Sequence, residues 1–183
     1  IHVEPVCYST DDTAELAEIF NGNEALIKKY AEKLSISFER VEYAKNNFIR
    51  VVKVMKAFVL NDSVKSFLCL NNKLPQENKG LFDIKLLEEF ADAIIKLYGI
   101  KGLKGKDLLY SINSEDYDAK RAEFIQRLSK GEKLFVISSY NTVGAGQNLQ
   151  YKAPGNATIV AVNDYDRGDM EKDFDCIYLE KPT

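Results

Sequence analysis

The sequence predicts an α/β protein, a mostly parallel sheet with flanking helices preceded by a mostly helical segment, and three observations carry that expectation. From about residue 61 onward, short apolar runs of strand length alternate with amphipathic stretches, which is how successive βαβ units read. Two of those stretches run into a glycine, Gly99 and Gly131, where a helix stop is expected. Before residue 61 the apolar positions recur instead at helical spacing, so the change of period places a structural seam there.

Taken in order, the run 2–9 carries Val3, Val6, Cys7 and Tyr8 and reads as a strand that Pro5 pushes toward a sheet edge. Asp12 with Glu15 three residues later marks a helix start, and Asn21-Gly22-Asn23 ends that helix. A second helix is expected over 24–34. Val41, Ala44, Phe48, Val51, Val52, Met55, Phe58 and Val59 then form one stripe of a long amphipathic helix closing near Asn61 and Asp62. Beyond the seam, the runs 64–70, 107–112, 133–139, 157–163 and 174–179 are each of strand length. A helix over 84–98 directs Leu86, Leu87, Phe90, Ile94, Ile95 and Leu97 inward, and another begins after Ser114, runs through Ala122, Phe124, Ile125 and Leu128, and stops at Gly131. Two low-apolar stretches, 71–80 and 164–173, read as surface connections.

Composition narrows the function. The 183-residue chain has 45% hydrophobic side chains, enough for a substantial core. Its 25 Lys and Arg nearly balance 28 Asp and Glu, so binding to nucleic acid would have to be local and not driven by a global positive field. The longest apolar stretch, 51–60, is broken by Lys53 and Lys56 and falls far short of the roughly 20 residues that span a bilayer, so no membrane segment is expected. Cys7, Cys69 and Cys176 are odd in number and far apart, which suits buried, reduced thiols in a cytoplasmic protein. His2 is the only histidine, and no cluster of Cys and His has zinc-ligand spacing. In Asp164-Tyr165-Asp166-Arg167-Gly168-Asp169 the glycine falls one position early for a calcium loop and no glutamate closes it, so the run reads as solvated. The chain opens on Ile1 without a methionine, and it is expected to be a piece of a longer protein.

The segment with the most chemistry is 134–150, a buried strand running into a polar glycine loop. In an open α/β sheet, ligands gather at the carboxyl ends of strands, which is where this loop must project. Gly144 and Gly146 let backbone amides approach a phosphate closely. Ser139, Asn141, Thr142, Gln147, Asn148 and Gln150 add neutral donors, better suited to a sugar-phosphate backbone than to acid-base catalysis. No nucleophile stands beside a recognisable base.

The pattern Ser139-x-x-x-x-Gly144-x-Gly146-x-Asn148-Leu149 resembles helicase motif V of superfamily-two proteins, especially the Snf-type translocases and the DEAD/DEAH-like helicases. The resemblance spans about residues 61–179. It implies a three-layer RecA-like C-terminal lobe over 61–183, ending before motif VI, with 1–60 as a helical extension. It further implies that Ser138, Ser139 and Tyr140, with Asn71 and Asn72 at the motif-IV position, hold DNA or RNA backbone phosphates. Gly144, Gly146, Gln147 and Asn148 would face ATP, with its Mg2+, bound against the first RecA-like lobe of the same chain. The ATP-hydrolysing parts would lie in that lobe, leaving this piece inactive alone. Accordingly, Gly102-Leu103-Lys104-Gly105-Lys106-Asp107 fails the phosphate-loop spacing, and no acidic metal box ends a strand.

Blander readings stand beside these. A glycine loop after a strand can be only a turn, and Asn71, Asn72 and Lys73 can serve one too. Lys120, Arg121 and Arg127 make either an electropositive rim or a solvated helix face paired with Asp118 and Glu123. Two other classes compete for the whole domain. One is a Rossmann-like enzyme domain holding a nucleotide or methyl donor on Gly144-Ala145-Gly146 with Asp164 at the ribose. The other is a noncatalytic protein-interaction module.

Overall fold

A computed structural model describes residues 5, 6, 9, 11–39, 41–76, 82–143, 149–155 and 171–180. The chain divides into two compact units, Ile1–Asn61 with Pro75–Asp107, and Asp62–Leu74 with Leu108–Thr183. The polypeptide therefore passes from the first unit to the second after residue 61 and returns to the first for 75–107.

The first unit is helical: α1 (Asp12–Ile19), α2 (Glu24–Ser37), α3 (Glu42–Leu60) and α4 (Ile84–Leu97), followed by the short α5 (Gly105–Leu108) at the boundary. Side-chain caps start three of these helices, satisfying amides that have no partner inside the helix. Asp11 Oδ1 accepts from the Thr13 and Ala14 amides at 2.9 and 3.3 Å, Asn23 from Leu26 at 3.1 Å, and Asp83 from Lys85 at 2.8 Å. The cap of α1 thus sits one residue before the expected Asp12. Glu15 is buried rather than part of the cap, its carboxylate accepting from the Ser9 amide at 2.6 Å and pairing with Lys53 at 2.8 Å. Gly99 ends α4 at φ +68°, a conformation glycine adopts without steric cost.

An aromatic cluster holds the helices of this unit together. Phe90 of α4 packs on Tyr30 of α2 with ring centroids 4.3 Å apart, on Phe48 of α3 at 5.5 Å and on Phe20 at 5.7 Å. The Tyr30 hydroxyl donates to the Glu89 carbonyl at 2.9 Å, and burial, reinforced by the Glu89 and Asp92 carboxylates, pushes that phenol up to about 12. It stays a neutral donor at any physiological pH.

Gly105, part of the failed phosphate-loop resemblance, has a packing role. A Cβ at this position would stand 2.4 Å from the Glu88 carbonyl oxygen and 3.1 Å from the Ala91 Cβ, and the Gly105 amide donates to Asp92 at 2.7 Å. Gly105→Ala is expected to cost about 1–3 kcal/mol by forcing α5 off the backbone of α4. A thermal melt followed by far-UV circular dichroism measures the loss, and an unchanged melting temperature refutes the close approach.

The second unit contains β1 (Ser66–Asn71), β2 (Leu109–Ser111), α6 (Tyr117–Ser129), β3 (Leu134–Ser139), α7 (Tyr140–Val143), β4 (Tyr151–Lys152), β5 (Glu171–Lys172) and β6 (Cys176–Leu179). Four strands form one parallel sheet in the order β2-β3-β1-β6, and β4 and β5 pair antiparallel. The protein is therefore α/β with a parallel sheet, as the alternating runs predict. β1 and β3 read as near-continuous apolar runs because both of their faces are buried. On one face Leu68, Leu134 and Val136 pack with Phe124 and Leu128 of α6 and with Leu149 and Tyr151. On the other, Phe67 stacks on Phe135 with centroids 4.9 Å apart.

The expected strand at 107–112 is shorter than its apolar run, because the chain makes the α5 turn first and only Leu109–Ser111 pair. The expected strand at 157–163, most of the run 2–9 and most of the connection 164–173 lie outside the described residues. Among the described residues, no helix is long and apolar enough to cross a membrane.

Candidate functional site

From β1 the chain goes on to β2, passing β3, whereas from β3 it goes on to β6, passing β1 in the opposite direction. In open α/β sheets such a reversal leaves a crevice at the carboxyl ends of the two strands, here β1 and β3. The register places Asn71 opposite Ser139 at that end, each the last residue of its strand.

Polar groups gather there, and their burial sorts them into two sets. Ser138 is fully buried, and its hydroxyl donates to the Ile112 carbonyl at 3.2 Å, tying β3 to the exit of β2. Ser139 is half-buried. Its hydroxyl lies 2.9 Å from that of Thr142 and accepts from the Thr142 amide at 3.2 Å, so it organises the first turn of α7. Asn71 is buried, and its Oδ1 accepts from the amide of the half-buried Asn72 at 2.8 Å. The Tyr140 hydroxyl donates to the Glu180 carbonyl, and the Glu180 amide donates to Leu70 at 3.0 Å, continuing the β1–β6 pairing past the end of β6.

At this edge Ser139, Tyr140 and Asn72 are therefore partly exposed, while Ser138 and Asn71 are buried. Gly144, Gly146, Gln147 and Asn148 lie outside the described residues.

The chemistry of the edge is neutral hydrogen bonding. Burial pushes the Cys69 thiol up, with the Glu180 carboxylate adding to the effect, so the thiolate needed of a nucleophile is suppressed. Burial and then Glu180 raise the Tyr140 phenol in the same direction, leaving it a donor. Among the described residues no group of His, Cys, Asp and Glu is arranged to hold a metal ion.

At the opposite edge lies a polar cluster that sequence reading missed. The Asp175 carboxylate accepts from the Lys65 and Ser66 amides at 2.9 and 3.0 Å and from the Ser66 hydroxyl at 3.1 Å, and it pairs with Lys172. The Ser66 hydroxyl also meets that of Tyr151 at 2.9 Å. Ser66 and Tyr151 are almost fully buried, so this cluster joins β1, β4 and β6 at the end of the sheet away from the crevice and is a structural clamp. Its partners stand about a hundred residues apart, and no local pattern announces them.

No protein-family model matches this chain, and comparison with curated proteins gives no match.

Proposed function

We propose that this chain is the C-terminal RecA-like lobe of a superfamily-two helicase or translocase, binding DNA or RNA by its sugar-phosphate backbone. The observation that carries the reading is the reversal of strand order between β1 and β3, with the motif-V-like segment leaving the carboxyl end of one and the motif-IV-like Asn71 and Asn72 leaving the other. Ser139 and Asn72 there offer neutral groups to phosphate oxygens, which position a nucleic acid without reading its sequence, and Tyr140, expected to join them, gives its hydroxyl hydrogen to the Glu180 carbonyl.

The interlobe ATP falls to Gly144, Gly146, Gln147 and Asn148. Among the described residues no group of three or more His, Cys, Asp and Glu is placed to hold a metal ion. The lysine and metal box of phosphoryl transfer belong, on this reading, to a first lobe.

Fluorescence anisotropy with labelled oligothymidylate and oligouridylate tests the reading. The expected result is weak binding without sequence preference, its logarithm falling linearly with the logarithm of salt concentration. Ser139→Ala weakens it several-fold at low salt. Tight binding insensitive to salt, or none at low salt, refutes the reading. A large thermal stabilisation by a methyl donor or free nucleotide would favour an enzyme domain of the Rossmann type instead.

A further inference from the structure

We propose that the stretch 96–106, from the last turn of α4 into α5, is a second nucleic-acid contact, its lysines holding backbone phosphates of a single strand. The inference takes its ligand class from the reading above and assigns part of the binding to the helical unit. Within these residues stand Lys96, Lys101, Lys104 and Lys106 and no acidic residue, in a chain whose net charge is −3. The stretch thus supplies the local positive field that the chain as a whole lacks.

All four lysines are exposed, and with the described residues none of them makes an ion pair or a side-chain hydrogen bond. Elsewhere in the unit ammonium groups are engaged, Lys33 with Glu89, Lys45 with Asp12 and Glu42, Lys53 with Glu15 and Glu18, and Lys85 with Glu88. The acids of α4 are therefore taken, since Glu88 and Glu89 hold those lysines and Asp92 accepts from the Gly105 amide at 2.7 Å. Lys96 has a local reason for its place, because a helix C-terminus favours positive charge. Lys101, Lys104 and Lys106 have none, and like charges left unpaired so near one another repel.

The backbone gathers these cations. Gly105 lies so close to α4 that a Cβ there would stand 2.4 Å from the Glu88 carbonyl oxygen, so Lys104 and Lys106 flank the point where the chain meets the helix. Lys96, one turn past Asp92, shares that face of α4. Gly102 turns the intervening loop at φ +76°, and a Cβ there would meet nothing within 4 Å, so the backbone beside Lys101 is open to a ligand. From α3 the Lys56 ammonium lies 5.6 Å from the Tyr98 ring centroid and adds a further cation beside the stretch. Tyr98 is exposed, whereas Leu97, Ile100 and Leu103 are half-buried, so the surface offers lysines and one aromatic ring without the apolar anchors that seat a segment in a bilayer. Phosphates paired with the lysines and a base stacked on a ring suit it better.

The experiment is the same anisotropy titration, with the folding of every variant checked by circular dichroism. Lys101→Gln combined with Lys104→Gln is expected to weaken binding of both oligonucleotides several-fold at low salt. It should also reduce the slope of log affinity against log salt by about 1.4, the share of two single-strand phosphates. Lys101→Arg combined with Lys104→Arg keeps the slope. Lys28→Gln combined with Lys29→Gln removes the same charge from exposed positions of α2 and should leave the slope as it is. If the wild-type chain binds and the first pair leaves the slope unchanged, or both glutamine pairs lower it equally, the assignment is overturned while the reading of the sheet edge survives. If the first pair lowers the slope and Ser139→Ala changes nothing, the edge reading falls and the lysine contact stands. Binding of neither oligonucleotide overturns both, and binding only to vesicles of phosphatidylcholine with phosphatidylserine would give the lysines to a membrane surface instead.

Discussion

Asp175→Ala is expected to lower the stability of the sheet unit by about 3 kcal/mol, the usual scale for removing a charged acceptor from several buried donors. The lost carboxylate leaves the Ser66 amide without its acceptor at a position with no solvent exposure. It also strips the Ser66 hydroxyl and Lys172 of a partner. The electrostatics point the same way. Burial opposes ionisation of Asp175, yet the Lys172 ammonium and the Lys65 and Ser66 amides prevail and hold the carboxyl below its ordinary value. A carboxyl depressed in the folded state contributes stability that is fully present above the unfolded-state value, near 4, and disappears as pH falls through the folded-state value. Urea midpoints measured from neutral to acid pH should fall for the wild type in that window, and Asp175→Asn should flatten the fall. Equal acid sensitivity in the two proteins would show that Asp175 contributes nothing to the clamp.

Phe90→Ala in the helical unit is expected to cost about 3–5 kcal/mol. Phe90 is completely buried and its ring is shared by Phe20, Tyr30 and Phe48, so truncation removes contacts to three helices at once. A cavity in that place is bounded by rings that cannot all close upon it, which puts the cost at the upper end for a core truncation. Against a typical domain stability of about 5–15 kcal/mol, this is a large fraction. Urea unfolding followed by far-UV circular dichroism reads the loss. Phe90→Leu, which keeps most of the apolar volume, should retain most of the stability. A Phe90→Ala midpoint close to that of the wild type would mean that the aromatic cluster is not the core of this unit.

Much of the candidate edge was legible because its signals are local. The apolar run before Ser138 and the polar residues after it locate a strand end, and the strand does end at Ser139. What sequence could not distinguish was Ser138 from Ser139, or Asn71 from Asn72. Adjacent residues on a strand point to opposite faces, and which face is closed depends on what packs there. Ser138 is sealed by its bond to Ile112, and Asn71 is buried whereas Asn72 is half-buried. The partner of Lys120 is likewise set by the turn that precedes α6, which brings Asp116 to its ammonium.

The sequence by itself determined the elements whose causes lie within a few residues. Those are the stripe of α3, the apolar face of α4, the glycine stops at Gly99 and Gly131, and the apolar runs of β1 and β3. Tertiary structure alone decided the order β2-β3-β1-β6, the two-residue strands β4 and β5, the four-residue α7 and the bond between Ser66 and Asp175. A strand of two residues has no period to read, and pairing between distant segments is chosen by which arrangement buries both faces of β1 and β3 while satisfying the polar groups at their ends.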